Sequence, residues 1–194
     1  MKRTLSLLFL SLVVMLGLSL TAVADEFSYT YTGDGFTAMG TLNGTPISPG
    51  TPYALSTGGI TTPTDAFDIT SGTINLTGSL TGSGTLYANP NTTSYSTSPD
   101  GLFWYDDLLY LSSNPQLDID GLLFEVSGSV VSLNIWGNAP APNYSLYEGQ
   151  NGGYPYQYAN GSFTATVTPE PASILLATAF FLAAGLFHRR LLVG

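Results

Sequence analysis

Residues 27–32 read Phe-Ser-Tyr-Thr-Tyr-Thr, and this strict alternation decides the fold class. Successive side chains of a β-strand point to opposite faces, so the aromatic residues share one face and the hydroxyl residues share the other. Short runs with similar alternation recur as far as residue 167, separated by clusters of Gly, Pro, Asn, Ser and Thr. The pattern predicts an all-β domain over residues 25–168, a β-sandwich or jelly-roll-like single domain of eight or more strands.

Individual strands follow from the same alternation. Residues 36–42 are expected to pair with the first strand, before a turn at Asn43-Gly44. Residues 102–111 are expected to form one long strand, with a helix near residues 106–111 as the alternative. The last strand is expected at residues 162–167, with Phe163, Ala165 and Val167 facing inward, and residues 137–143 and 144–158 are expected to be long loops.

The first 24 residues have the order of a secretory signal peptide. Lys2 and Arg3 form a charged start, residues 5–20 are apolar, and Ala22 and Ala24 form the small-residue cleavage pattern. Cleavage after Ala24 would follow export through the Sec translocon. This segment is therefore excluded from the fold argument.

Residues 169–190 have three parts in a fixed order: Pro169-Glu170-Pro171, an apolar run at residues 172–187, and a basic end that includes Arg189 and Arg190. As a helix, the apolar run would reach roughly 24 Å at 1.5 Å per residue. This is a short transmembrane helix for a hydrocarbon core of about 30 Å. Arg189 and Arg190 would stay on the cytoplasmic side, which leaves the body of the protein outside the cytoplasm.

This tail resembles the PEP-CTERM sorting signal of bacterial exported proteins, although it continues for four residues beyond the arginines. The resemblance implies recognition of Pro169, Glu170 and Pro171 by a membrane-embedded exosortase, and retention by Arg189 and Arg190 before processing. It implies transient anchoring in the bacterial inner membrane and then delivery to the cell surface or extracellular matrix. Residues 100–147 are also similar to a body found on other PEP-CTERM proteins, which implies kinship and an all-β fold.

The composition of residues 25–168 excludes several classes of function. This segment has no Lys, Arg, His or Cys and has twelve acidic residues, so its formal charge is −12. Nucleic-acid binding needs cationic side chains, a Ser-His-Asp or Cys-His arrangement needs a histidine, and zinc sites draw on Cys and His. The classes of function that remain are those that depend on carboxylate side chains.

Two acidic groups are the best candidates for that chemistry, namely Asp106-Asp107 and the pair Asp118 and Asp120 that precedes Gly121. Carboxylates beside turn carbonyls can bind calcium, so Asp118 and Asp120 are candidate ligands. They do not belong to an EF-hand, because Ser127 stands at the position where the EF-hand loop requires a bidentate Glu. A plain Asp-Gly turn is the alternative. A glycosidase would need two carboxylates roughly 5–10 Å apart. In a β protein, the number of residues between two carboxylates does not establish that distance.

Aromatic residues and threonines suggest two further alternatives. Nine aromatic residues could form a platform on which sugars stack, and three of them alternate at residues 154, 156 and 158. They are Trp104, Tyr105, Tyr110, Trp136, Tyr144, Tyr147, Tyr154, Tyr156 and Tyr158. The Thr-x-Thr pairs at residues 30–32 and 164–166 suggest ice binding as an alternative function. C-terminal tails similar to this one occur on some ice-binding secreted proteins.

The sequence therefore predicts an exported, exosortase-processed surface or matrix protein without catalytic activity. Its expected partners are the sorting machinery and exopolysaccharide, and it requires no cofactor other than the calcium that Asp118 and Asp120 suggest. A calcium- or carbohydrate-binding module is the main alternative, followed by a carboxylate glycosidase and an ice-binding protein.

Overall fold

The computed structural model describes residues 25–33, 35–127, 132–137, 144–149 and 156–168, with only the backbone course for residues 144–149 and 156–159. These residues form strands joined by turns and bends, and no helix occurs among them. The strands in chain order are β1 Asp25–Gly33, β2 Phe36–Pro46, β3 Pro52–Leu55, β4 Gly58–Thr61, β5 Ala66–Gly78, β6 Gly82–Leu86, β7 Ser96–Thr97, β8 Trp104–Tyr105, β9 Leu108–Tyr110, β10 Leu122–Ser127, β11 Ser132–Gly137, β12 Tyr144–Gly149 and β13 Tyr156–Val167. The expected all-β class is confirmed for this part of the chain.

Eight of these strands form one antiparallel sheet that curls until it closes. Neighbouring strands follow the order β2, β1, β13, β12, β11, β10, β6 and β5. The last of them, β5, pairs back with β2 from Phe36↔Gly78 to Pro46↔Phe67. The inner face of the sheet therefore packs against itself, as the inner faces of two packed sheets do.

The core lies inside this closed sheet. Phe27, Tyr29 and Tyr31 of β1 all point inward and are buried, as the alternation predicts. Tyr29 stacks on Phe124 of β10, four strands away around the sheet, with ring centroids 5.9 Å apart. It also stacks on Phe163 of β13 at 5.6 Å. The first contact crosses the interior and joins opposite sides of the curled sheet, whereas the second lies between the neighbouring strands β1 and β13.

The first hairpin forms as expected, but its strands run further than predicted. Gly35, with a φ of 81°, lies in the turn between β1 and β2. The predicted turn at Asn43-Gly44 is wrong, because β2 continues through it to Pro46 and pairs there with strands on both sides. The register of the pairing with β5 shifts between these two residues, with Thr70 of β5 as the extra residue, so this position lies opposite a bulge and is not a chain reversal.

Three short pairings attach the long loops to the closed sheet. β9 continues along β5 beyond the end of β6, with Ala66 opposite Tyr110. The β3–β4 hairpin packs on this region through a small buried cluster that includes Tyr53, Leu55 and Leu108. β7 pairs with β8.

The predicted strand at residues 102–111 is interrupted, and the helix alternative is wrong as well. Asp106 and Asp107 separate β8 from β9, and their backbone N–H groups both donate to the carbonyl oxygen of Gly121, at 3.3 and 3.0 Å. Asp107 has a φ of 58°. A non-glycine residue in this left-handed region reverses the local direction of the chain, so the run of apolar residues becomes two short strands.

The C-terminal part of the domain is more regular than the sequence predicts. β12 and β13 occupy much of residues 144–158, which were expected to be a loop, and residues 138–143 and 150–155 lie outside the described residues. Phe163 and Ala165 are buried as expected. Val167 was expected to face inward but is 53% exposed, because it is the last residue of β13 and little of the sheet lies beyond it to cover its side chain.

Both targeting segments lie outside the described residues, at 1–24 and 169–194. Within the described ranges, no helix has the length and apolar character needed to cross a membrane. The signal peptide, the sorting tripeptide and the apolar run at residues 172–187 stay predictions.

Replacing Phe124 with Ala should destabilise the protein by about 3–5 kcal/mol, because it leaves a cavity where the fully buried ring stacks on Tyr29. Urea unfolding of the full-length protein in mild detergent would measure the loss. Met39→Ala is the matched control, since Met39 is 46% exposed, and it should change stability by no more than about 0.5 kcal/mol. Equal effects of the two substitutions would contradict the assignment of Phe124 to the core.

Candidate functional site

The four aspartates that the sequence singles out lie in two segments that the fold brings together. Asp106 and Asp107 lie between β8 and β9, and Asp118 and Asp120 lie in the segment that leads into β10. Oxygen atoms from Asp106, Asp118 and Asp120 all lie within 4.8 Å of one another. The predicted pair of candidate metal ligands, Asp118 and Asp120, therefore has a third member from the other segment.

Asp118 forms the turn that the alternative interpretation predicted. Its Oδ1 accepts hydrogen bonds from the backbone N–H groups of Asp120 at 3.0 Å and Gly121 at 3.2 Å. Such bonds from an Asp side chain to the backbone two and three residues ahead are typical of turns that Asp initiates. Its other oxygen, Oδ2, accepts a bond of 2.8 Å from the hydroxyl of Tyr110. The turn and the cluster are thus compatible, because the turn fixes one oxygen of this carboxylate and leaves the other directed toward β9.

Asp120 connects the cluster to the β3–β4 hairpin. The backbone N–H of Ser56, in the turn of that hairpin, donates to Asp120 Oδ2 at 2.7 Å, and the Ser56 hydroxyl donates to Oδ1. Gly121 follows with a φ of 66°, and a Cβ there would lie 2.2 Å from the carbonyl oxygen of Ile135. Glycine is thus needed at this position, both for its conformation and for the close approach of β11.

Asp106 is the most deeply buried member of the cluster and the least well bonded. Its Oδ1 accepts a hydrogen bond of 3.1 Å from the backbone N–H of Leu108. Its Oδ2 is buried and has no hydrogen-bond donor in the described part of the chain. A buried polar atom without a partner is rare, because its lost hydration is not replaced.

Burial and the neighbouring carboxylate of Asp118 raise the pKa values of Asp106 and Asp120. Burial first, and then the neighbouring Asp118, raise the pKa of Asp106 well above its usual range. Burial also raises the pKa of Asp120, although the hydrogen bonds from Ser56 lower it in part. Three carboxylates this close cannot all ionise without a compensating charge, so either a proton or a cation must neutralise part of the cluster.

Asp107 points away from the cluster and has a structural role. Its Oδ2 accepts a hydrogen bond of 2.8 Å from the backbone N–H of Asn89, and its Oδ1 accepts one of 3.2 Å from that of Leu123. The carboxylate therefore joins the loop after β6 to β10. Burial raises its pKa well above the usual range, against the lowering effect of these two bonds.

Sequence reasoning missed that Asp106 joins Asp118 and Asp120 while Asp107 does not. A signal for this separation exists, because adjacent residues of an extended chain point to opposite sides. The interruption between β8 and β9 hides that signal.

The chain matches no protein-family model, no curated protein and no solved structure.

A separate feature, a pocket of about 260 Å³, opens beside Asp120. Trp104 and Trp136 both line it, together with Asn134 and Thr57. Trp104 is 57% exposed, and its ring packs edge-on against Tyr95 with centroids 6.1 Å apart. This pocket therefore contains both tryptophans of the chain.

The other aromatic residues of the predicted sugar-stacking platform either have no described side chain or are buried. Tyr154 lies outside the described residues. Only the backbone is described for Tyr144 and Tyr147 in β12 and for Tyr156 and Tyr158 in β13. Tyr105 and Tyr110 are buried in the interior and are not available as a platform.

The Thr-x-Thr pairs of β1 and β13 lie side by side on the outer face of the sheet. Thr30 is directly opposite Thr164, and Ser28 is opposite Thr166 with their hydroxyl oxygens 3.2 Å apart. The row of hydroxyls continues across β2 to β5, where Thr41 and Thr73 are hydrogen-bonded at 3.2 Å. The sheet closes on itself, so this array follows a curved surface, which does not favour the flat, regular array that ice binding would need.

Replacing Asp107 with Ala should destabilise the protein by about 2–4 kcal/mol, because it leaves the N–H groups of Asn89 and Leu123 without an acceptor. Asp107→Asn should cause a smaller loss, since Asn keeps one acceptor oxygen and tolerates a positive φ. Chemical denaturation of the full-length protein would measure both. Glu125→Ala removes an exposed carboxylate and is the control. A loss from Asp107→Ala no larger than that of the control would contradict this role.

Proposed function

We propose that the protein is an exported, exosortase-processed component of the cell surface or extracellular matrix, without catalytic activity and associated with exopolysaccharide. The curled sheet would serve as a sandwich-like β domain that presents a binding surface outside the cytoplasm. The signal peptide pattern at residues 1–24 and the sorting pattern at residues 169–190 support the route of export.

The tryptophan pocket is the observation that supports a carbohydrate partner. Aromatic rings offer flat apolar faces that suit the apolar faces of sugar rings, and Trp104 exposes more than half of its surface beside this pocket. Trp104 is not part of the buried core, so its exposed ring is available for stacking on a ligand. The strongly acidic body favours a neutral polysaccharide over an anionic one, because like charges repel.

The burial of the carboxylates supports the absence of catalysis. A glycosidase needs two carboxyl groups that reach opposite sides of the scissile bond. Asp120 lines the tryptophan pocket but is only 1% exposed, and Ser56 bonds to both of its oxygens. Asp106 is fully buried. These carboxylates hold loops in place, and a polysaccharide in the pocket would not reach them as a pair.

Trp104→Ala should abolish most of the binding to neutral exopolysaccharide purified from the producing cells, because it removes the exposed stacking ring, which is worth roughly 1 kcal/mol or more. Only two tryptophans are present and both line the pocket, so a change in intrinsic fluorescence reports binding directly. Met39→Ala removes an exposed apolar side chain from β2 and is the control. Binding by Trp104→Ala with wild-type affinity would argue against this pocket as the carbohydrate site.

Glu170→Ala should leave the protein in the membrane at its full C-terminal length, because the sorting tripeptide would no longer be recognised. The intact mass of the secreted wild-type product should correspond to ends near residue 25 and near residue 169. Glu125→Ala also removes a carboxylate, but from the exposed surface of β10, and should be processed normally. Normal release of the Glu170 variant would remove the tripeptide's role and leave a plain C-terminal anchor.

A further inference from the structure

We propose that Asp106, Asp118 and Asp120 form a calcium site that joins three segments of the chain. The site goes beyond the proposed export and carbohydrate binding, and it does not depend on them. It differs from the sequence-based expectation because Asp106, from a separate segment, supplies the central ligand.

The spacing of the oxygen atoms fits one calcium ion. Oxygens bound to calcium at 2.3–2.6 Å lie at most about 5 Å apart when they are on opposite sides of the ion. One oxygen from each of the three aspartates lies within 4.8 Å of the others. Magnesium binds oxygens at about 2.0–2.1 Å in strict octahedral geometry and keeps several waters, so three fixed carboxylates suit calcium better.

Asp106 supplies the observation that separates this site from an ordinary acidic cluster. Its side chain is 0% exposed, and its Oδ2 has no hydrogen-bond donor in the described ranges, whereas Oδ1 is held by the N–H of Leu108. The unbonded oxygen belongs to the same carboxylate that takes part in the cluster. A cation bound there would satisfy it.

The other two carboxylates are held in place by neighbouring donors. Asp118 is oriented by the hydroxyl of Tyr110 and the N–H groups of its own turn, and Asp120 is oriented by Ser56. Carboxylates that bind metals are themselves hydrogen-bonded in this way, and each oxygen can accept more than one interaction. No side chain of residues 25–168 is cationic, so no lysine, arginine or histidine of the body can neutralise the cluster.

Calcium at this position would connect the chain between β8 and β9, the segment before β10 and, through Asp120, the β3–β4 hairpin at Ser56. Ser56 and Asp120 are 64 residues apart in the sequence. An exported domain without cysteine has no disulfide to make such a connection. The ion would therefore stabilise the loops that surround the closed sheet.

The test is calorimetric titration of the full-length protein, purified in mild detergent and dialysed against EDTA, with calcium chloride. We expect one saturable site that binds magnesium at least about tenfold more weakly, at constant ionic strength set with sodium chloride. Asp106→Asn should weaken calcium binding at least about tenfold, because the number of charged ligands sets affinity. Glu125→Gln removes one exposed charge from β10 and should bind calcium as the wild type does.

Two results would overturn the site. One is the absence of saturable calcium binding up to about 10 mM, beyond the weakest extracellular calcium sites. The other is a calcium affinity that does not distinguish Asp106→Asn from its references: either Asp106→Asn binds calcium as tightly as the wild type, or Glu125→Gln loses as much affinity as Asp106→Asn does. Either outcome would indicate diffuse attraction of calcium by the acidic surface. If Asp106→Asn does not fold, Asp118→Asn takes its place with the same expectation, since Asp118 is partly exposed and tolerates substitution better.

Discussion

The antiparallel pairing of β2 with β5 makes the curled sheet a closed one. Nine pairs of residues, from Phe36↔Gly78 to Pro46↔Phe67, join what would otherwise be two sheet edges. An open edge exposes unpaired N–H and C=O groups, and closure satisfies them within the chain. It also creates an interior in which aromatic residues of β1 meet those of β10 and β13. Because β5 is longer than β6, its first residues remain free to pair with β9, and this pairing places Asp106 beside the segment that contains Asp118.

A second constraint is the lack of any cationic side chain between residues 25 and 168. Buried carboxylates in this domain cannot form ion pairs with Lys or Arg, so they accept hydrogen bonds from hydroxyl and backbone N–H groups. Asp107 shows the pattern, with bonds from the backbone N–H groups of Asn89 and Leu123. The exposed Asp100 is bonded in the same way, by Ser98, Ser132 and the N–H of Leu102. Partial burial raises the pKa of Asp100, but these bonds outweigh it and lower the pKa overall. Asp106 is the exception, because one of its oxygens has no such donor among the described residues, and a cation bound there would satisfy it.

Local patterns predicted the fold where the alternation was uninterrupted. The inward face of β1 and the pairing of β1 with β2 followed directly from residues 27–32 and 36–42. Prediction failed where tertiary contacts override the local composition. Asn43-Gly44 has the composition of a turn, yet paired strands on both sides keep it within β2. The apolar run at residues 102–111 has the composition of a strand, yet Asp107 adopts a positive φ because its side chain and backbone bond to distant segments.

The sequence by itself determined the all-β class, the excess of negative charge and the absence of Lys, Arg, His and Cys from residues 25–168, because these depend on composition and on a period of two. It also identified Asp118 and Asp120, since Asp followed by Gly is a local signal. Only the tertiary structure decided that the sheet closes on itself and that Asp106 joins the cluster while its neighbour Asp107 does not. Both depend on how separate segments of the chain pack together, and such contacts leave no local pattern that a single sequence reveals.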